Sequence, residues 1–362
     1  MTDPLLLTPG PLTTDPAVRD AMWRDWGSRD PAFIALTAEV RDGLLRVANG
    51  GASHVAVPIQ GSGTYVLEAA ADTLVGADGT LLVLVNGAYG RRMVAIAERL
   101  GKRVLRIDWA EDEAVDPDAV ARRLAADPAI THVAAVHVET TTGLLNPLAE
   151  LARVVAVAGR RLMVDAMASF GALPIDLATL PAAAVLASSN KCLQGAPGIA
   201  FALVERGALA AAAGQARSTS LDLHAQWRGF EANGQWRFTP PVQVVAALVE
   251  ALHGLAAEGG PAARLARYQA NLDTLVAGAE AAGLSLYLDP ALQAPIIATF
   301  RSSTDFVFDA FYRALAEAGF VIYPGKLTGA DTFRIGCIGA VTPADMARLV
   351  AALGPALSSA GG

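Results

Sequence analysis

Lysine is nearly missing from this sequence. Of its 28 lysines and arginines, only Lys102, Lys191 and Lys326 are lysine. Positive charge is almost always supplied by arginine, so each surviving lysine is a candidate for chemistry that a guanidinium cannot perform. Cysteine is scarcer still. Cys192 and Cys337 are too few for a disulfide framework or a zinc set, which suits a reducing compartment. Net basic charge is absent: the formal charge is −7, without the basic footprint of a nucleic-acid binder. Small anions stay open as ligands, because local arginines and helix N-termini decide their binding. Long apolar runs are also lacking, and none approaches the roughly 18 residues of a membrane span. The opening "MTDPLLLTPGPLTT" has no basic start and is cut by Pro9 and Pro11, unlike a signal peptide. These absences point to a soluble, cytoplasmic chain with small-molecule partners, no nucleic acid and no membrane.

What is present suits a compact enzyme. The 362 residues are 53% hydrophobic, enough to bury a sizeable core in two domains. Short apolar runs alternate with helical patterns. Strands are expected at "HVAVPIQ" from His54, "TLLVLVN" from Thr80, "RVLRID" from Arg103, "THVAAVHVE" from Thr131, "RLMVDA" from Arg161 and "AAAVLAS" from Ala182. Helices are expected from Thr64, from Arg91 and around Val120. Continuous apolar strands between helices predict an α/β fold with a mainly parallel sheet covered on both faces. The pattern changes near Gly259, where a long helical stretch leads to "LSLYL", "PIIATF", a helix near Phe308, "FRIG" and a final helix from Pro343. The expected division is a large α/β domain over 1–258, with an N-terminal arm over 1–16, and a smaller α+β domain over 259–362.

Four polar clusters fall at strand ends, where ligands of such sheets bind. In "QGSGTY", Ser62, Gly63 and Thr64 offer donors at a helix start, as a phosphate cradle does. Val66 breaks the dinucleotide fingerprint, which disfavours a nicotinamide dehydrogenase, and no Gly-Lys follows to make a P-loop. In "VDAMASFG", Asp165 ends an apolar strand and needs a partner. In "SSNKCLQGAPG", Lys191 leaves a buried strand. Partial burial beside positive charge can lower a lysine from its free value of about 10.4 toward Schiff-base chemistry. In "HVETTTGLLNP", Glu139, Thr140 and Thr141 can hydrogen-bond a ring hydroxyl, while His137 reads as a core histidine. Singly, the clusters also read as turns, caps or salt bridges. Together they match what pyridoxal phosphate requires: a lysine to carry it, a carboxylate to keep its ring nitrogen protonated, and a helix end for its phosphate.

The motifs "LLLTPGPLTT", "QGSGTYVLEA", "NGAYG", "HVETTTGLLNP", "VDAMASFG", "SSNKCLQGAPG", "QWRFTPP" and "FVIYPGK" closely resemble the transaminases of 2-aminoethylphosphonate and pyruvate. These are class V aminotransferases of the aspartate-aminotransferase-like group, the pyridoxal 5′-phosphate fold type I. The resemblance runs from Leu5 to about Leu353. It implies that Lys191 carries the cofactor and Asp165 faces its ring nitrogen. It further implies that Tyr89 stacks on the ring, that Ser62, Gly63, Thr64 and Ser189 hold the phosphate, and that Thr141 lies near the ring oxygen. Thr239 would reach the cofactor phosphate of a neighbouring subunit, and Arg334 would grip the acidic end of the substrate. The implied assembly is a homodimer with sites at the subunit interface. The implied reaction converts 2-aminoethylphosphonate and pyruvate to phosphonoacetaldehyde and L-alanine, a step of phosphonate catabolism. The segment "DWGSRD", Asp25 to Asp30, departs from some relatives and bears on fine specificity. Three rivals stay open: an alanine–glyoxylate or serine–pyruvate aminotransferase of the same class, a lyase or cysteine desulfurase, and a non-catalytic pyridoxal-phosphate-binding protein. A desulfurase needs a mobile cysteine, and Cys192 beside Lys191 is poorly placed for that.

Overall fold

The computed structural model describes residues 3–303, 305–325, 327 and 330–361. Lys326, which ends "FVIYPGK", lies outside the described residues. Seven strands form the main sheet, in the spatial order His54–Gln60, Ile199–Glu205, Ala184–Ser188, Arg161–Asp165, Ile130–Val136, Thr80–Val85 and Arg103–Asp108. Ile199–Glu205 runs antiparallel to both its neighbours. All other pairings are parallel.

The apolar runs are continuous because both faces are covered, and successive residues serve opposite faces. Leu82 and Leu84 join Val133 and Val164 in one core, whereas Leu81, Val83 and Val85 join Val57 and Val66 in the other. The parallel arrangement brings Gln60, Val85, Val136, Asp165 and Ser188 to one end of the sheet, where the polar clusters begin.

The expected strands and helices fall near their observed places, with informative differences. Ile199–Glu205 is a further strand, apolar in character, beyond those expected. Gly198, at φ 132°, helps turn the chain back beside Ala184–Ser188 without a crossover helix. "THVAAVHVE" divides: Ile130–Val136 stays in the main sheet, and Val138–Glu139 pairs with Leu144–Leu145. His137 lies between them, its N–H bonded to Asp165 O at 2.9 Å. "LSLYL" narrows to Ser285–Leu286. Helices Pro31–Val47, Leu223–Asn233 and Val242–Glu258 occupy stretches without an expected element.

The helix Val242–Glu258 ends at Gly259 in the left-handed region, and Gly260–Ala281 leaves it across an 80° bend. Beyond it, Ser285–Leu286, Ile297–Arg301, Thr332–Gly336 and Tyr323–Pro324 form an antiparallel sheet. Its core centres on Phe300, Phe311 and Phe333, packed with Leu272, Leu349 and Leu353 from helices Gly260–Ala281 and Pro343–Ser359. The N-terminal arm, expected with the large domain, touches both units. Leu5–Leu6 pairs in parallel with Phe320–Val321, and Leu7 enters the C-terminal core. A strand edge there supplies backbone partners that the arm cannot supply to itself. Among the described residues, no single helix is long and apolar enough to cross a membrane.

Candidate active site

A cavity of about 170 Å³ opens at the C-terminal ends of the parallel strands. Ser62, Gly63, Thr64, Tyr89, Asp165 and Lys191 line it, six of the ten residues singled out in the sequence. Each is held there by the element before it.

The helix Gly63–Leu74 starts at the cavity, and its N-cap Ser62 makes no side-chain cap bond. Tyr65 N–H turns back to Ser62 O at 2.9 Å, which leaves the N–H groups of Gly63 and Thr64 for an anion that the helix dipole favours. A Cβ on Gly63 would lie 2.5 Å from Met167 Sδ, so a larger residue here would force the Met167 side chain, which also lines the cavity, to move. Arg92 adds charge, its Nη1 standing 3.4 Å from Thr64 Oγ1 and its guanidinium 4.9 Å from the Tyr89 ring centroid. Sequence reasoning misses Arg92. Its signal is the Tyr89–Arg92 spacing, which puts both on one helix face.

Asp165 ends its strand buried, and Oδ1 accepts from Met167 N–H at 3.0 Å. Burial pushes its carboxyl up to about 6, against the opposing pull of that hydrogen bond and of the Lys191 and Arg92 charges. Glu139 lies close enough to act on Asp165 and is fully buried. It accepts from Thr141 Oγ1 at 2.7 Å and from the N–H groups of Tyr89 at 3.1 Å and Thr141 at 3.3 Å. Burial raises it to about 7 despite these bonds. Glu139 thus fastens the Tyr89 turn, and the absence of a side chain at Gly87 makes room for it.

Lys191 follows the strand Ala184–Ser188 and is half-buried, with the arm lying over it. A Cβ on Gly10 would come within 2.7 Å of both Asn190 O and Lys191 Cδ, and φ 121° there already favours glycine. Cys192 points away, its Sγ donating to Ala168 O at 3.2 Å. Burial pushes that thiol up to about 12, so it is no thiolate nucleophile, against the desulfurase alternative.

The other four residues lie outside the cavity wall. Thr140 lines the cavity, while the neighbouring Thr141 gives its hydroxyl to Glu139. Ser189 is fully buried and donates to Ala196 O at 2.5 Å and Ile199 O at 3.1 Å. Thr239 is exposed beside Phe238 in a second cavity of about 310 Å³, lined also by Gly61 and Tyr65. Arg334 is buried just behind the cavity, donating Nη1 to Thr140 O at 2.9 Å and Nε to Pro324 O at 3.0 Å. Its Nη2 is buried without a protein partner.

Residues 23–331 match the family described as aminotransferase class-V. The chain belongs to the class V aminotransferases. A 2-aminoethylphosphonate–pyruvate transaminase of Burkholderia pseudomallei (strain K96243) is 52% identical over 361 residues, covering 99% of this chain and 98% of that one. The 2-aminoethylphosphonate–pyruvate transaminase 1 of Burkholderia lata is 51% identical over 363 residues, covering 100% and 98%. Among solved structures, pyridoxamine–pyruvate aminotransferase from Mesorhizobium loti matches with a TM-score of 0.91 and 30% identity, covering 100% of this chain and 94% of that one. The alanine–glyoxylate aminotransferase from Nostoc sp. matches with a TM-score of 0.91 and 28% identity, covering 99% and 96%.

The cofactor of this class V aminotransferase is pyridoxal 5′-phosphate, and the cavity fits it. An uncapped helix start with Arg92 beside it suits a phosphate, the buried Asp165 carboxyl suits a protonated ring nitrogen, and a half-buried lysine shares their cavity.

Proposed function

We propose that this aminotransferase moves the amino group of 2-aminoethylphosphonate to pyruvate, giving phosphonoacetaldehyde and L-alanine. Bound pyridoxal 5′-phosphate supplies a ring that draws in the electrons of the broken C–H bond. Everything else falls to the chain. Lys191 holds the cofactor covalently between turnovers. Once freed, its Nζ would take the proton from the amine-bearing carbon of the substrate and hold it for return. Asp165 would hold the ring end of the cofactor, where a cationic ring nitrogen would favour its carboxylate form. Ser62, Gly63 and Thr64 hold the phosphate with first-turn donors, Arg92 adds charge, and Tyr89 covers the ring. The same groups serve pyruvate in the second half-reaction.

The observation that carries the reading of two acidic substrates is Arg334 Nη2. A buried guanidinium with two arms fixed on carbonyls and the third unpartnered is prepared for an acidic group entering from the cavity. A phosphonate and a carboxylate both suit it, so one residue can serve donor and acceptor in turn. The Burkholderia relatives, named for this reaction and about half identical over the whole chain, favour the phosphonate over the alanine–glyoxylate alternative. An amino-donor panel with pyruvate tests the choice. 2-Aminoethylphosphonate is expected to outpace serine and taurine, and Arg334→Lys to raise KM about tenfold or more for both phosphonate and pyruvate, as expected for loss of an Arg fork on an anion. Inertness toward the phosphonate with turnover of serine would transfer the assignment to the rival. Normal KM values in the variant would remove Arg334 from the site.

The homodimer belongs to the same reading. Thr239 and Phe238, exposed in the cavity they share with Gly61 and Tyr65 next to the phosphate end, support a partner surface there. Sedimentation is expected to show twice the 37.3 kDa chain mass. Thr239→Ala should weaken cofactor retention several-fold, about what one lost hydrogen bond gives. A monomer with full activity contradicts this arrangement.

A further inference from the structure

The lysine that must move its amine during turnover stands on a backbone that is fastened unusually firmly, and from outside the main sheet. Gln194 N–H closes the turn on Lys191 O at 2.8 Å, and Gly195 N–H reaches Ser189 O at 2.8 Å. Gln194 takes φ 63°, a strained setting for a side chain, and its Nε2 donates to Tyr268 Oη at 2.6 Å and Gly339 O at 2.7 Å. The two carbonyls directly after Lys191, those of Cys192 and Leu193, accept from Arg264 Nη1 at 2.9 and 3.3 Å.

Arg264 is only 3% exposed, so its charge needs a counter-ion. Glu258 supplies one, its Oε2 taking Nη2 at 2.7 Å and Nε at 2.9 Å. The same carboxylate accepts from Arg267 Nε at 2.8 Å, and Arg267 Nη1 donates on to Gly339 O and Val341 O at 2.8 and 2.6 Å. Glu258 ends one helix and Arg264 lies in the first turns of the next, across the bend at Gly259. The bend is what lets a carboxylate and a guanidinium six residues apart meet head-on behind the lysine turn.

We propose that Arg264, clamped by Glu258, is a positioning residue: it fixes the backbone after Lys191 so that the lysine's amine reaches the reacting carbon from one constant anchor. This rests on the reading of Lys191 given above. Arg264 touches neither substrate nor cofactor and acts only through the turn. A guanidinium suits the task because its planar fork meets the carboxylate with two nitrogens and the carbonyls with the third. An ammonium at that point cannot span both. Misplacing a reacting group by about 1 Å can cost on the order of 100-fold in rate.

The test compares the full-length protein with Arg264→Met, Arg264→Lys and Glu258→Gln, each assayed below its own melting temperature. Arg264→Met is expected to lower kcat about 10- to 100-fold with KM for both substrates within about twofold of wild type. It should also raise the deuterium isotope effect for 2-aminoethylphosphonate labelled at the amine-bearing carbon, because proton transfer by Lys191 becomes slower than the other steps. Without cofactor, the Gln194 and Gly195 amides should exchange with solvent about tenfold faster or more, as the turn they close loosens. Arg264→Lys should recover part of each effect, and Glu258→Gln should show the same changes more weakly. If Arg264→Met does not fold, those two variants carry the comparison. Variants with wild-type kcat, isotope effect and exchange overturn the clamp. A wild-type protein in which borohydride fixes no cofactor to Lys191 overturns instead the functional reading on which the clamp depends.

Discussion

Lys191→Met is expected to lose turnover by about 10³-fold or more, beyond the effect of any other substitution in this chain. Two functions end together: covalent retention of the cofactor, and proton transfer at the substrate carbon, which alone contributes about 10²- to 10⁴-fold. Lys191→Arg should fare no better. A guanidinium keeps its proton at any working pH and can act neither as nucleophile nor as base. Borohydride reduction followed by peptide mass spectrometry reads the covalent function directly. Wild-type protein is expected to carry a reduced adduct on the peptide holding Lys191, and both variants none. Steady-state assays with 2-aminoethylphosphonate and pyruvate read the second function. A Lys191→Met protein above a few per cent of wild-type kcat, or an adduct found on Lys102, would place the chemistry elsewhere. The background of the sequence sharpens the test, since Lys102 is committed to Asp72 and to the carbonyls of Asp72 and Val75.

What can be read from the sequence is whatever is carried by neighbouring residues. The buried strands are continuous apolar runs, and each polar cluster follows its strand directly. Lys191, Asp165 and Ser62 to Thr64 therefore stand out, and the parallel topology supplies their meeting at one end of the sheet. Residues recruited across long separations give no such signal. Arg264 and Glu258 fasten the lysine turn from about 70 residues downstream, and nothing near either residue marks it as a partner of Cys192 O. Gly10 approaches Lys191 because Leu5–Leu6 joins a strand near residue 320, a pairing that two residues of apolar sequence cannot specify. Ser189 and Thr141 show the converse. Their place beside the site follows from the motifs, but the direction of a hydroxyl depends on which acceptor the fold brings to it. Ala196 O and Ile199 O take the first, and the Glu139 carboxylate the second.

Asp165→Asn should separate activity from stability, and the two should move in opposite directions. The carboxyl lies near 3.8 in an unfolded chain, while burial pushes it up to about 6 in the folded, cofactor-free protein. Its folded value is the higher one, so folding favours the protonated form. Its contribution is complete below about pH 4 and is lost as pH rises through about 6. At pH 8 the cofactor-free protein therefore keeps a buried anion at a cost of up to about 3 kcal/mol, since each tenfold weakening of an acid is worth roughly 1.4 kcal/mol. Asparagine removes that charge and keeps an oxygen for Met167 N–H, so the cofactor-free variant should be the more stable protein at pH 8 and the two should converge toward pH 4. Glu139, raised to about 7 by its own burial, contributes in the same sense in both proteins and leaves a residual slope between about pH 5 and 7. Catalysis should respond the other way. An amide cannot stabilise a protonated ring nitrogen as a carboxylate does, and kcat is expected to fall about 10²- to 10³-fold, the usual loss when a preorganised electrostatic partner is removed. Denaturant titrations of the cofactor-free proteins at pH 5 and pH 8, with steady-state rates of the loaded ones, give both readings. An Asn variant no more stable than wild type at pH 8 would show that Asp165 is already neutral or solvated there. One that kept wild-type turnover would show that the ring nitrogen finds its partner in another residue, and Glu139, a buried carboxylate that acts on Asp165, would be the one to substitute next.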